Sequence, residues 1–243
     1  LNPAVVAFAG YADHAEDVDT DFLLQGFARE ARGHGARILT GARVTGMARD
    51  GAGWRVLSEG GSFTARIIVN AAGAWADAVA VLAGVRPLGL TPLRRSMARI
   101  PAPGGLDVSR WPMIFGPGED WYAKPDAGAL IVSPAEEDLM QPHDAWADDM
   151  VLAEGLARYE EMVTEPVTRV LSNWAGLRTF SPDRVLVIGP DLREPGFFWL
   201  AGQGGYGFQT CPAASCLAAD LIGGRVSELD DGLIAALSPA RFG

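Results

Sequence analysis

Ile67-Ile68-Val69-Asn70-Ala71-Ala72-Gly73 is the stretch on which the fold turns. Its apolar residues show no polar alternation, so they read as a strand buried on both faces. The strand ends in three small residues and runs directly into a helical pattern, Trp75-Ala76-Asp77-Ala78-Val79-Ala80-Val81-Leu82-Ala83-Gly84. Small residues where a buried strand meets a helix let another group approach the backbone closely. Tight strand–helix packing would use them equally well.

Upstream of that stretch, the apolar run Val5–Gly10 is expected to be a first strand. Asp19 or Thr20 can cap a helix whose apolar residues Phe22, Leu23, Phe27, Ala28 and Ala31 recur at helical spacing, and Gly33 and Gly35 end it. A short strand is expected at Ala36–Leu39. Gly51-Ala52-Gly53 and Gly60-Gly61 then turn three strands into an antiparallel meander. Downstream, proline and glycine become frequent from Pro87 to Asp126, with short strands near Leu93–Ile100, Trp111–Phe115 and Asp120–Pro125. The run Gly128–Ser133 is expected to extend their sheet. Residues 136–149 are acidic and read as a solvated loop. Helices are expected near 147–162 and from Pro212 to Ile222, with strands at 167–178, 185–189 and 197–202. The pattern is mixed α/β (α+β) with an antiparallel insert.

The sequence has 243 residues, 20 Lys+Arg against 30 Asp+Glu and a formal net charge of −10, so concentrated cationic surface for nucleic acid is missing. Lys124 is the one lysine. Cys211 and Cys216 lie five apart, outside CxxC spacing, and the three histidines are far from them and from one another, so no metal site is expected. The most apolar window, 67–85, contains Asn70 and Asp77 and is too polar for a membrane span. No basic leader with an apolar core opens the sequence, and a soluble cytoplasmic protein is expected.

Gly202-Gln203-Gly204-Gly205-Tyr206-Gly207 matches GxGxxG after an apolar strand. A dinucleotide-binding βαβ unit also needs a second strand and an acidic residue about 20 positions on. The 36 residues after Gly207 offer no convincing strand, and Pro212 is expected to separate the glycines from the helix. What remains is a glycine-rich loop whose amides and following helix N-terminus suit negative charge on a ligand.

The blocks VNAAGAWADAVAVLAG, GLTPLRRS, WPMIF, DWYAKPDAGALIVSP, WAGLR and FFWLAGQGGYGFQT occur in an order that resembles the later two-thirds of the D-amino-acid oxidase superfamily of flavoproteins. Within it, the likeness is closest to the bacterial FAD-dependent D-arginine dehydrogenases, and it covers nearly the whole chain. The resemblance implies an incomplete FAD-binding domain plus an antiparallel-sheet substrate domain. Residues 1–17 would supply a substrate-domain strand, 18–90 part of the FAD-binding domain, 91–174 the substrate domain and 175–243 the closing part of the FAD-binding domain. Members of this superfamily begin with a strand–GxGxxG–helix unit that these residues lack. The chain is therefore expected to be a fragment, or one chain of a split protein with the N-terminal portion as a separate partner, and by itself to retain FAD weakly.

By the same resemblance, Arg178 in WAGLR holds the substrate carboxylate, which a guanidinium does through two parallel hydrogen bonds. Arg95 in LRRS reaches the same carboxylate, and strand alternation sends its neighbour Arg94 to the opposite face. Tyr122 lies over the substrate. The resemblance places Gly202, Gln203, Gly204, Gly205, Tyr206, Gly207, Phe208, Gln209 and Thr210 beside the flavin pyrimidine ring. Ala71, Ala72, Gly73 and Trp75 make a second FAD contact, and the Val44 backbone meets the adenine. The region Ser172–Asp183 has no cysteine to attach a flavin, so FAD is expected to be noncovalent. The reaction implied is hydride transfer from the Cα of a D-amino acid to flavin, with release of a 2-oxo acid and ammonia, an unidentified electron acceptor and no catalytic base. Two alternatives stay open: an oxygen-using oxidase of glycine, sarcosine or another amine, and a non-catalytic subunit.

Overall fold

A computed structural model describes residues 1–243. In chain order the elements are α1 (Thr20–Gly33), β1 (Val44–Asp50), β2 (Gly53–Ser58), β3 (Gly61–Ala65), β4 (Ile68–Asn70), α2 (Ala76–Leu82), β5 (Thr91–Pro101), β6 (Ile114–Phe115), β7 (Tyr122–Asp126), β8 (Ala129–Ser133), β9 (Asp138–Leu139), α3 (Asp149–Glu161), β10 (Ser172–Phe180), β11 (Val187–Pro190), β12 (Phe197–Ala201), α4 (Gly207–Gly223) and α5 (Asp231–Leu237). The architecture is mixed α/β with antiparallel sheets. Two compact units divide it: Leu1–Tyr11 with Thr91–Arg178, and Ala12–Leu90 with Thr179–Gly243.

The first unit is built on a sheet of order β10-β5-β8-β7-β6, with β9 also pairing with β5. β5 dictates its two faces. Ser96, Ala98 and Ile100 are buried, while Arg95, Met97 and Arg99 between them are only half-buried. That period of two sorts the strand into a core side and an open side. On the core side Ile100, Ala123, Leu130 and Val132 pack with Val108, Trp121 and Tyr159, the last from α3. Asp148 caps α3 by accepting from the amides of Met150 and Val151. Gly155, in mid-helix, sits so close to the loop after β8 that a Cβ there would lie 2.3 Å from Pro134 Cβ. The helix can cover the sheet only because that side chain is missing.

The second unit holds two three-stranded sheets. β1-β2-β3 is the expected meander, with register Val56↔Phe63 and Met47↔Val56 and a bulge between Val44 and Gly46. The other has order β11-β12-β4, and β4 runs parallel to β12. β11 and β12 are buried on both faces. Val187, Phe197, Trp199 and Ala201 pack with Trp54 and the α2 residues Ala76 and Ala80. Ile188 and Phe198 face Ala214, Leu217 and Ala218 of α4. Trp54 is almost fully buried, and its indole N–H donates to the Gly196 carbonyl at 3.0 Å.

Several expectations are corrected. Residues 1–17 contain no strand: the Asn2 carbonyl accepts from Val5 and Val6 to make a turn, and Phe8 stands exposed with no strand beside it. Ala36–Leu39 is likewise not a strand, and Ile38 and Leu39 are exposed. β4 is a three-residue edge strand, so Val69 is exposed where burial on both faces was expected. α4 begins at Gly207 and carries Pro212 inside it, because the Thr210 amide and hydroxyl both bond the Tyr206 carbonyl and fix its start. The compact units divide the chain at 11/12, 90/91 and 178/179, which puts Arg178 in the same unit as Arg95 and Tyr122. The acidic stretch is not all solvated, since Glu136 is buried against Arg94.

Two glycines in helices test the packing by opposite signs. Gly26→Ala in α1 meets nothing within 4 Å and should stabilise the protein by up to about 1 kcal/mol through helix propensity. Gly155→Ala should instead destabilise it by about 1–3 kcal/mol through overpacking against Pro134. Urea unfolding of the two variants beside the parent protein measures both changes, and a stabilising Gly155→Ala contradicts the close approach.

Candidate active site

Three strands bring the predicted substrate residues of the first unit together. Arg95 comes from β5, Tyr122 from β7 and Arg178 from β10. Arg178 Nη2 donates to the Tyr122 hydroxyl at 3.2 Å, and that hydroxyl donates to Met97 Sδ at 3.4 Å. The Arg95 guanidinium stands 6.0 Å from the centre of the Tyr122 ring. Tyr122 is two strands away from β5 in the sheet, and the residue paired with it on the intervening strand is Ser133. Ser133 is small and fully buried, and its hydroxyl donates to the Ser96 carbonyl at 2.8 Å. The phenol therefore lies over Ser133 to reach Met97. A larger residue at 133 would lift it away.

Alternation on β5 sends Arg94 to the other face. There its Nη2 donates to Asp138 at 2.6 Å and its Nε lies 3.8 Å from Glu136. Arg95 remains on the face with Tyr122 and Arg178, its side chain 11% exposed. Its Nη2 donates to Glu137 at 3.3 Å, while its Nε is buried without a hydrogen bond. Burial first, and then the nearby Arg178 guanidinium, hold the Arg95 pKa below its ordinary value. Two cations on one face of a sheet, one of them largely buried, create a strong local demand for an anion. Phe115, opposite Tyr122 across β6–β7, adds an exposed ring 6.1 Å from it.

In the second unit, Ala71, Ala72 and Gly73 follow β4, and Gly202–Tyr206 follows β12. These are adjacent parallel strands, so both turns leave the same edge of the sheet. That edge, at the carboxyl ends of parallel strands, is where open α/β sheets bind ligands. Asn70 shapes the first turn. Buried, it donates to the Ala76 carbonyl at 2.8 Å and accepts from the Ala72 amide at 3.3 Å. Gly73 has φ +55° with nothing within 4 Å of a would-be Cβ, so the turn faces open space. In the second turn the Gly204 amide donates to the Thr179 carbonyl at 2.8 Å. A Cβ on Gly204 would lie 2.4 Å from the Phe180 ring. No side chain caps α4, which leaves its first amides available. Gln203, Gly205, Gly207, Phe208, Gln209 and Thr210 belong to this loop and the first turn of α4, while Trp75 is half-exposed just before α2. Val44 stands apart, at the bulged start of β1 in the other sheet of the unit.

Sequence reasoning missed Asn70, Asp77 and Ser133 as positioning residues. Asp77 accepts from the amides of Leu88, Gly89 and Leu90 and so holds the chain that follows α2. The signal was present: Asn70 and Asp77 are the polar residues in an otherwise apolar window. No strand follows α4, so the GxGxxG match there does not open a βαβ unit. No helix is long and apolar enough to cross a membrane.

This chain is similar to several known proteins. The hydrogen cyanide synthase subunit HcnC of Pseudomonas aeruginosa is 25% identical over 228 residues, covering 90% of this chain and 51% of its own length. The tRNA 5-methylaminomethyl-2-thiouridine biosynthesis bifunctional protein MnmC of Burkholderia vietnamiensis is 29% identical over 240 residues, 87% of this chain and 35% of that protein. The chain thus spans about half of the first relative's length and about a third of the second's. In fold it is similar to glycine oxidase from Geobacillus kaustophilus, with TM-score 0.75 and 22% identity over 90% of this chain and 57% of that one. L-proline dehydrogenase from P. horikoshii gives TM-score 0.75 and 23% identity over 90% and 59%. The model of the FAD dependent oxidoreductase (DAO) family matches residues 1–221, and the chain belongs to that family.

Proposed function

We propose that this chain contributes to an FAD-dependent oxidative deamination of an α-amino acid, in which Arg178 and Arg95 bind the substrate carboxylate and Tyr122 completes the clamp. The observation that carries the reading is the convergence of two guanidiniums on one phenol, with Arg178 Nη2 already 3.2 Å from Tyr122 Oη. A carboxylate accepts several charge-assisted hydrogen bonds at once, which the donors of this face can supply. The D configuration rests on the likeness of the LRRS, DWYAKP and WAGLR blocks to D-arginine dehydrogenases.

The turns of the second unit fit a flavin. Gly73, after the small residues Ala71 and Ala72, faces open space at a strand end, and the uncapped start of α4 beside the Gly202–Tyr206 loop offers amides and a helix dipole. When bound, FAD supplies acceptance of a hydride from the substrate Cα. The protein's part is to fix the carboxylate, and with it the amino acid's orientation. The absence of cysteine between Ser172 and Asp183 supports noncovalent attachment.

A second reading, an amine oxidase of glycine type, draws on the names of similar structures such as glycine oxidase. Hydrogen peroxide formed in stoichiometry with product favours that reading, and turnover only with an artificial electron acceptor favours a dehydrogenase.

Arg178→Met should lower kcat/KM for the amino-acid substrate about 30- to 1,000-fold, the equivalent of about 2–4 kcal/mol, with Arg178→Lys restoring only part of it. Steady-state kinetics of folded, flavin-loaded variants check this, and an unchanged kcat/KM overturns the carboxylate role. Acid or denaturant should release all yellow colour from the flavin-loaded protein. Colour that stays with the precipitated polypeptide contradicts noncovalent binding.

A further inference from the structure

Three consecutive acids follow Ala135, and they are divided between the two faces of β5. Glu136 and Asp138 go to Arg94, while Glu137 goes to Arg95. The backbone imposes this division. The Ala135 amide bonds the Ser133 hydroxyl at 3.1 Å, Ala135 takes φ +55°, and β9 then pairs with β5 at Leu93↔Leu139 and Arg94↔Asp138. With Asp138 opposite Arg94, its neighbour Glu137 falls beside Arg95. The Glu137 side chain is 37% exposed and that of Arg95 11%, so this ion pair joins a buried cation to an acid at the solvent edge.

We propose that Glu137 is a built-in counter-ion that competes with the substrate carboxylate for Arg95 and so sets how tightly the clamp grips; this rests on the carboxylate reading of Arg95 and Arg178. The charges decide the sign. Empty, the clamp holds two guanidiniums and the Glu137 carboxylate. A bound carboxylate brings these four groups to neutrality and faces a net +1 from the other three, whereas without Glu137 the same ligand would face the full +2 of the two guanidiniums. Burial and then Arg178 lower the Arg95 pKa, and Tyr122, Glu137 and Glu136 raise it. The balance also has a use. Substrate and 2-oxo acid product both carry the carboxylate, so a grip that holds both equally tightly slows product departure without helping the chemical step. Glu137 weakens that shared grip and is a positioning and affinity-setting residue, not a catalytic one.

The test uses pyruvate, a simple 2-oxo acid, titrated calorimetrically into the wild-type protein and the variants Glu137→Gln, Glu137→Asp and Arg178→Met. Glu137→Gln keeps the shape and an acceptor oxygen but removes the charge. It should bind pyruvate about five- to fifty-fold more tightly and show a lower KM for the amino acid with kcat unchanged or reduced. Glu137→Asp keeps the charge and should stay within about threefold of wild type. Equal tightening in both variants, or none in a Glu137→Gln protein that melts like wild type, overturns the proposal while loss of binding in Arg178→Met leaves the carboxylate reading standing. If Glu137→Gln does not fold, Glu137→Ala is titrated in its place with the same expected tightening. Pyruvate binding that is unaffected by Arg178→Met, or absent from the wild-type protein, overturns the carboxylate reading and the proposal together.

Discussion

Holding two guanidinium groups on one face of a sheet is the constraint to which the first unit answers. Like charges in partly buried surroundings repel and resist desolvation, so Arg95 and Arg178 need a fixed frame and nearby acceptors. The frame is the sheet itself, with one arginine on β5 and the other on β10. The acceptors are the Tyr122 hydroxyl for Arg178 and the Glu137 carboxylate for Arg95. Each acceptor depends on something less conspicuous. Tyr122 reaches across β8 because Ser133 is small, and Glu137 arrives because β9 is zipped to β5 behind it. The strand that carries Arg95 also carries Ser96, Ala98 and Ile100 into the core. Its two faces therefore cannot slip by one residue without exchanging core for charge.

In the second unit, adjacent parallel strands deliver two small-residue turns to one sheet edge, each followed by a helix. The turns differ in why they are small. Gly73 faces open space, whereas Gly204 is pressed against Phe180, and only the first leaves room for a ligand at the glycine itself. Asn70 ties its turn to Ala76, so hydrogen bonds within the protein hold the shape of this edge, and a turn held in this way has less ordering to lose on binding.

Much of this was legible in the sequence because it rests on short-range rules. Period-two alternation along Leu93–Ile100 separates Arg94 from Arg95. Glycine pairs mark the meander, and Asp19 marks the start of α1, where its side chain accepts from the Phe22 amide. What was not legible depends on partners distant in sequence. The segments Val5–Gly10 and Ala36–Leu39 look like strands, but a strand needs a neighbour, and composition cannot say whether one is there. Pro212 looked like a barrier, yet the hydrogen bonds of Thr210 had already started the helix. The acids at 136–138 looked solvated because nothing local reveals that β9 returns to β5. α5 was overlooked although its signal is local: Asp230 caps it by accepting from the Leu233 amide, ahead of apolar Leu233, Ile234 and Leu237.

The central claim is that the face carrying Arg95, Tyr122 and Arg178 is built for a carboxylate. A crystal structure of the protein soaked with pyruvate tests it most directly. The account predicts carboxylate oxygens at about 2.7–2.9 Å from the Arg178 guanidinium, with Arg95 and the Tyr122 hydroxyl turned to the same group. Pyruvate bound elsewhere, with Arg178 still engaging only Tyr122 and Arg95 still paired with Glu137, would contradict it.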